Sequence, residues 1–194
     1  MQFMGRIDTG ELSPDPPLTS AHWDYVTYIK WMENGSGRRQ DTMPVIRRET
    51  FKEIRFHDDR TLEGPYHLDF MKRFNAWTFP DVVALYHQDA ANQLTKADTR
   101  RTIEAANDQA ISGARLLSKH GEALKVNAPN IYRNHVSGLA TLFFLSGNRA
   151  MGIKYSFSSL SRELLSVRSW TILLVGLVGA KPLAWLKSHR AKLH

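Results

Sequence analysis

Charge is distributed unevenly along this chain, and that unevenness constrains the fold more than any single motif does. Residues 1–130 carry 17 basic and 18 acidic groups, a balance of −1, whereas residues 131–194 carry nine basic groups and one acid, Glu163, a balance of +8. The pattern changes in the same region. Before it, β-branched and aromatic runs alternate with turns bearing Pro and Gly; after it, short apolar stretches recur at helical spacing. The expectation is an α/β body over residues 1–125 followed by a small, basic α-helical region over 126–194. With 42% hydrophobic residues, five Trp and nine Phe, both parts have enough apolar surface for a core, which excludes a disordered chain. The sequence has no cysteine, which removes disulfides, thiolate zinc sites, iron–sulfur clusters and Cys nucleophiles together.

Within the body, a short strand is expected over residues 4–10, entering a turn at Asp8-Thr9-Gly10, and a loop over 11–17 where three prolines crowd together. Thr19 or Ser20 can cap a helix over 21–33, ended by Asn34-Gly35. Residues 43–47 read as a strand, 48–54 as one or two helical turns, and Asp58-Asp59-Arg60 as a charged turn. Pro65 suits a first helical position, with 66–74 following and Leu68, Met71 and Phe74 inward. The run DVVALYH at 81–87 has the strongest strand character in the chain and predicts a buried strand that delivers His87-Gln88-Asp89 to its exit. A longer helix is expected from 96 or 97 to about 119. The tail then reads as four or five short helices punctuated by Gly147, Gly152, Gly179 and Pro182.

Groups able to do chemistry concentrate in four places: Arg47-Arg48-Glu49, Asp58-Asp59-Arg60, the segment 63–69 (EGPYHLD), and Tyr86-His87-Gln88-Asp89 with Asn92. Without cysteine, His57, His67 and His87 with nearby carboxylates are the remaining metal-ligand types, although their spacing fits no H-E-x-x-H pattern and each also reads as an ordinary hydrogen-bonded histidine. Asp58-Asp59 imitates a D-x-D metal pair, but Glu53, Arg55 and His57 make the preceding segment too polar for a buried strand, and a solvated turn is the simpler reading. No G-x-G-x-x-G, Walker loop or G-x-S-x-G occurs, which disfavours dinucleotide binding, P-loop chemistry and α/β-hydrolase action.

In the tail, the longest charge-free apolar stretches, 136–147 and 169–180, are 12 residues each, against roughly 20 for a spanning helix. Basic residues flank such stretches, as at Arg168-Ser-Trp170 and Lys181-Pro-Leu-Ala-Trp185-Leu-Lys187. That arrangement suits an interfacial helix on anionic lipid, with a plain helical core as the next reading and nucleic acid last. The expected location is cytoplasmic, with peripheral attachment to the inner face of the membrane through 131–194.

In order along the chain, FMGRIDTGEL, PVIRRETF (44–51), LEGPYHLDF (62–70) and VVALYHQDAAN (82–92) together resemble the carboxy-terminal half of a family-2 glycosyltransferase of the GT-A fold, and LFFLSGNR (142–149) resembles the helical extension that follows it. The resemblance implies a partial nucleotide-diphospho-sugar transferase-like domain. It further implies transfer of a sugar to a cell-envelope or polysaccharide acceptor, with Mg²⁺ or Mn²⁺ at the diphosphate and a carboxylate taking the acceptor proton. Carried over by position, Glu63 matches the first acid of the family's Glu-Asp pair, with Asp59 and Asp69 as alternatives for the base because Gly64 stands where the second acid belongs. His87 matches a metal- or diphosphate-binding histidine, and Arg47, Arg48, Tyr66, His67, Gln88 and Asn92 fall on the substrate side. The family's donor half with its D-x-D strand has no counterpart in these residues, so independent transferase activity is not expected. The alternatives are a non-catalytic membrane-surface or partner-binding protein derived from such an enzyme, and a metal-dependent hydrolase built on His67 and His87.

Overall fold

The computed structural model describes residues 1–35, 41–54, 63–86, 103, 105–161 and 164–190, with side chains for all of these except 63, 64 and 186–190. They form a mixed sheet followed by a region of several helices, and contacts divide them into two compact units. A sheet unit takes in the strands, the first two helices and the segment Glu122–Ile131. A helical unit takes in the described residues from 103 to 121 and those from 132 on.

The sheet runs in the order β2-β1-β5-β3, where β1 is Gln2–Ile7, β2 Leu12–Ser13, β3 Ala21–Trp23 and β5 Ala76–Tyr86; β4, Met43–Pro44, pairs with β1. Strand β1 lies parallel to β5, and the other pairings are antiparallel. The register from Gln2↔Thr78 to Ile7↔Tyr86 lets nine residues of β5 run beside six of β1. Pro80 lies in the larger slip. It has no N–H for the ladder, so the strand bulges there. The bulges disturb the alternation of faces, and β3 covers β5 only at Ala76–Thr78. The apolar run read from the sequence as a buried strand is a strand but not a buried one: Val82, Val83 and Leu85 are 41%, 54% and 55% exposed, since pairing with β1 fills the ladder along an edge and covers neither face.

The helix expected over 21–33 is shorter at its start. Ala21-His22-Trp23 hydrogen-bonds along the beginning of β5, and the buried Thr78 hydroxyl donates to the Thr19 carbonyl at 2.6 Å, which commits this segment to the sheet. Helix α1 is Tyr25–Asn34. Its cap is Asp24, whose carboxylate accepts the Thr27 N–H at 2.7 Å and is held below its ordinary pKa by that bond. Helix α2, Glu63–Arg73, opens two residues before Pro65 and follows a 3-10 helix, Arg48–Lys52, in the place expected for one or two turns. The core of this unit joins Met4, Leu18, Trp23, Met71 and Ala76, with Tyr25, Tyr28, Trp31 and Phe70 packed around them. Glu33 in the last turn of α1 accepts the N–H groups of Asn130 and Ile131 at 3.0 and 3.1 Å. A carboxylate thus caps a helix start 97 residues away, where unpaired N–H groups and the helix dipole favour negative charge.

The longer helix is Ala106–Asn127, here α3, later in both start and end than expected; residues 96–102 lie outside those described. After it come α4 (Pro129–Leu145), α5 (Arg149–Leu160), α6 (Val167–Val178) and α7 (Ala180–Arg190), four helices where four or five shorter ones were read. Gly147 and Gly179 do end helices, with φ of 81° and 147°. Gly152 lies inside α5 and Pro182 in the first turn of α7, so neither interrupts a helix. The role of Gly152 is spatial. Phe144, 2% exposed, lies between Gly152 and Gly176, and a Cβ at Gly152 would meet its ring at 2.8 Å; one at Gly176 would overlap the ring outright. Among the described residues no helix is long and apolar enough to cross a membrane.

Two outcomes follow from this packing. Gly176→Ala gains about 1 kcal/mol of helix propensity but forces a methyl into a ring held from both sides, at a cost of about 1–3 kcal/mol. Thermal unfolding should therefore show a net loss of stability, relieved by adding Phe144→Leu. In the sheet unit, burial pushes the Tyr28 phenol up to about 12 from its ordinary 10.0. A raised folded-state pKa leaves its contribution intact below pH 10 and removes it as pH climbs from 10 to 12. Absorbance titration near 295 nm should show the Tyr28 step as the last of several delayed tyrosine ionisations, arriving together with unfolding, and Tyr28→Phe should abolish that last component.

Candidate functional site

Two parallel strands end together. Ile7 and Tyr86 are in register, and the chain leaves β1 through Asp8-Thr9-Gly10 while β5 leads towards His87. The turn is tied across the strand ends, since Asp8 N–H donates to the Tyr86 carbonyl at 3.0 Å and Gly10 N–H to the Ile7 carbonyl at 2.8 Å. Gly10 has φ of 93°, a conformation that glycine takes without strain, which is why the chain can reverse there. Ile7 N–H in turn donates to the Glu11 carbonyl, starting β2.

Tyr86 fixes the geometry of this edge. Its ring lies on Gly5 so closely that a Cβ there would overlap it, and its hydroxyl contacts the Met43 sulfur at 3.0 Å. Burial pushes its phenol up, and the charge of Asp41 adds to the effect. Asp41 is placed by its own backbone, whose carbonyl accepts the Ser13 hydroxyl at 2.9 Å. Beside β2, Glu11, Leu12, Pro14, Asp15 and Pro17 line a concavity of 540 Å³. The exposed Asp8 and Thr9 thus stand at the carboxyl end of a parallel strand pair, with acidic groups close along the chain. Ligands of α/β sheets bind outside that end.

The residues expected from the sequence to do chemistry are divided by this structure. Arg47 and Arg48 are exposed at the start of the 3-10 helix, and the Arg47 charge, after burial, helps hold the Met1 ammonium below its usual pKa. Tyr66 is buried on α2, its ring against His67 at 5.6 Å and Phe70 at 6.2 Å, and burial pushes its phenol up. Asp69 lies near enough to Tyr25 for its charge to add to burial in raising that phenol. Glu63 opens α2, and Asp69 follows six residues along it. Asp59, His87, Gln88 and Asn92 lie outside the described residues, as do His57 and Asp58. Among the described residues no three His, Asp or Glu side chains converge to hold a metal ion. Sequence reasoning placed the turn at Asp8-Thr9-Gly10 but missed its position beside Tyr86. Only the parallel pairing of segments some 75 residues apart puts it there, and no local signal carries that pairing.

Comparison of the chain with protein-family models, curated proteins and solved structures finds no match.

The Tyr86–Gly5 contact makes a prediction of its own. Gly5→Ala should cost about 1–3 kcal/mol by overpacking, whereas Tyr86→Phe, which loses only a weak hydroxyl–sulfur contact, should cost less than about 1 kcal/mol. Chemical denaturation of both variants, with Gly5→Ala/Tyr86→Ala as the relieved pair, checks it.

Proposed function

We propose that this chain is the acceptor side of a GT-A-like sugar transferase of family-2 kind, binding a glycan at the carboxyl end of β1 and β5. The observation that carries the reading is that Asp8 and Thr9 stand at the strand end where the Asp8 N–H meets the Tyr86 carbonyl and the chain runs on to 87–92, the stretch of sequence with the polar groups, His87, Gln88 and Asn92, of the resembling segment. Glycan hydroxyls suit such an edge. A carboxylate accepts from vicinal hydroxyls, and a threonine hydroxyl both donates and accepts.

In the reaction this reading assigns, an acceptor hydroxyl oxygen forms a bond to the anomeric carbon of the donor sugar, the bond to the nucleotide diphosphate breaks, and a carboxylate takes the hydroxyl proton. Glu63 is the favoured base by position in the resemblance. Asp69 is the weaker choice because its charge lies against Tyr25 of α1. The ion, Mg²⁺ or Mn²⁺, stays part of the proposal through His87 alone, and the nucleotide-sugar donor enters as partner of the reaction.

Amide NMR spectra of the chain titrated with cell-envelope-type oligosaccharides test the acceptor site. Saturable shifts are expected at Asp8, Thr9, Gly10 and Tyr86, weakened about tenfold in Asp8→Asn by loss of a charge-assisted bond. Shifts confined to other regions, or none at millimolar glycan, would falsify the reading.

A further inference from the structure

We propose that the outward face of α6, with the turn that precedes it, seats on an anionic lipid surface. Helix α6 is apolar on two sides. Ile172, Leu173 and Gly176 face the core around Phe144, while Val167, Trp170, Leu174, Leu177 and Val178 recur at spacings of three, four, three and one along the other side. That spacing gathers them into one stripe about 100° wide. They are not grazing exposures: Val167, Leu174 and Val178 are 76%, 60% and 73% exposed, and Leu165 in the turn before the helix reaches 93%. An ordinary solvated helix face carries charges at such positions. Here residues 169–180 carry none.

The polar atoms on this face are already satisfied within the protein. The Trp170 indole N–H donates to the Leu164 carbonyl at 2.9 Å, and the Thr171 hydroxyl to the Val167 carbonyl at 2.8 Å. A medium without hydrogen-bonding groups therefore leaves neither of them stranded. With 12 residues, α6 is about 18 Å long, too short to cross about 30 Å of hydrocarbon but suited to lying in the interface.

Charge selects the occupant. Exposed Arg168 follows Val167 in the first turn of α6, exposed Lys181 lies three residues beyond Val178, and Arg168 meets the neutral Asn134 side chain at 3.3 Å. Residues 131–194 carry the balance of +8. A second copy docking by two-fold symmetry would bring these like charges together, whereas anionic headgroups complement them. This inference is independent of the glycan site, and its readout involves no sugar.

The test is flotation of the full chain with vesicles of phosphatidylcholine alone and of equal parts phosphatidylcholine and phosphatidylglycerol. Association is expected with the anionic vesicles only and should decline with added salt. It should weaken about fivefold for each of Arg168→Gln and Lys181→Gln, as about 1 kcal/mol per basic residue implies. The pair Leu174→Gln, Leu177→Gln should weaken it more than about tenfold, while the unfolding temperature stays unchanged because both side chains are exposed. Failure to float with anionic vesicles overturns the proposal, as does association indifferent to headgroup charge. So does a dimer in sedimentation equilibrium that the leucine pair dissolves, which would assign the stripe to a second copy.

Discussion

The parallel pairing of β1 with β5 is the constraint on which the sheet unit depends. Parallel strands cannot be joined by a tight turn, so everything between them, β2, β3, α1, β4 and α2, is crossover. The pairing survives an irregular register because Tyr86 covers Gly5 and reaches Met43, tying the last residue of β5 to β1 and to the strand beyond it. Once Ile7 and Tyr86 are level, the first residue past β1 bonds to the last of β5, and Asp8 is delivered to the edge with no further adjustment. The candidate site is in this sense a by-product of one glycine that leaves room for one ring.

Local signals in the sequence were sufficient wherever local chemistry decides the outcome. The Asp8-Thr9-Gly10 turn, the stop at Gly35 and the single-turn helix after Arg47 are all set by residues within a few positions of themselves. The segment Ala21-His22-Trp23 was not legible, because its aromatic spacing fits a helix and only the partner at β5 pulls it into the sheet. β5 shows the reverse. Its β-branched run specifies a strand correctly, yet burial depends on what packs on the faces of the sheet, and Val82, Val83 and Leu85 stay exposed. Of the candidate site, Tyr86 belongs to a run of chemically able residues whose strand exit the sequence assigns to His87-Gln88-Asp89, whereas the neighbourhood of Asp8 depends on a pairing no short window contains.

Glycines in the helical unit do two kinds of work that look alike in the sequence. At 147 and 179 the backbone takes a positive φ and the helix ends. At 152 and 176 the backbone is helical and the missing side chain is what matters, because α5 and α6 close on Phe144 from two directions. Spacing to the next turn residue does not separate these cases. What separates them is a large aromatic elsewhere in the chain that needs a slot, and Phe144 follows Phe143 in a run where either could have been the buried one. Both are buried: Phe143 stacks on Tyr155 at 5.4 Å, while Phe144 takes the slot between the glycines.

The same slot accounts for the unusual exterior of α6. A helix that needs a glycine and a pair of aliphatics on its inner side is fixed in rotation about its axis, so its remaining residues face outward whatever their chemistry. Had those outward positions been charged, the helix would be an ordinary amphipathic element, and the basic excess of the tail would read as solubility alone. They are valine, tryptophan and leucine instead, with Arg168 in the first turn and Lys181 just past the end. Apolar surface held outward by the packing on its inner side, with positive charge nearby, is the combination from which the proposal of an anionic lipid surface is argued.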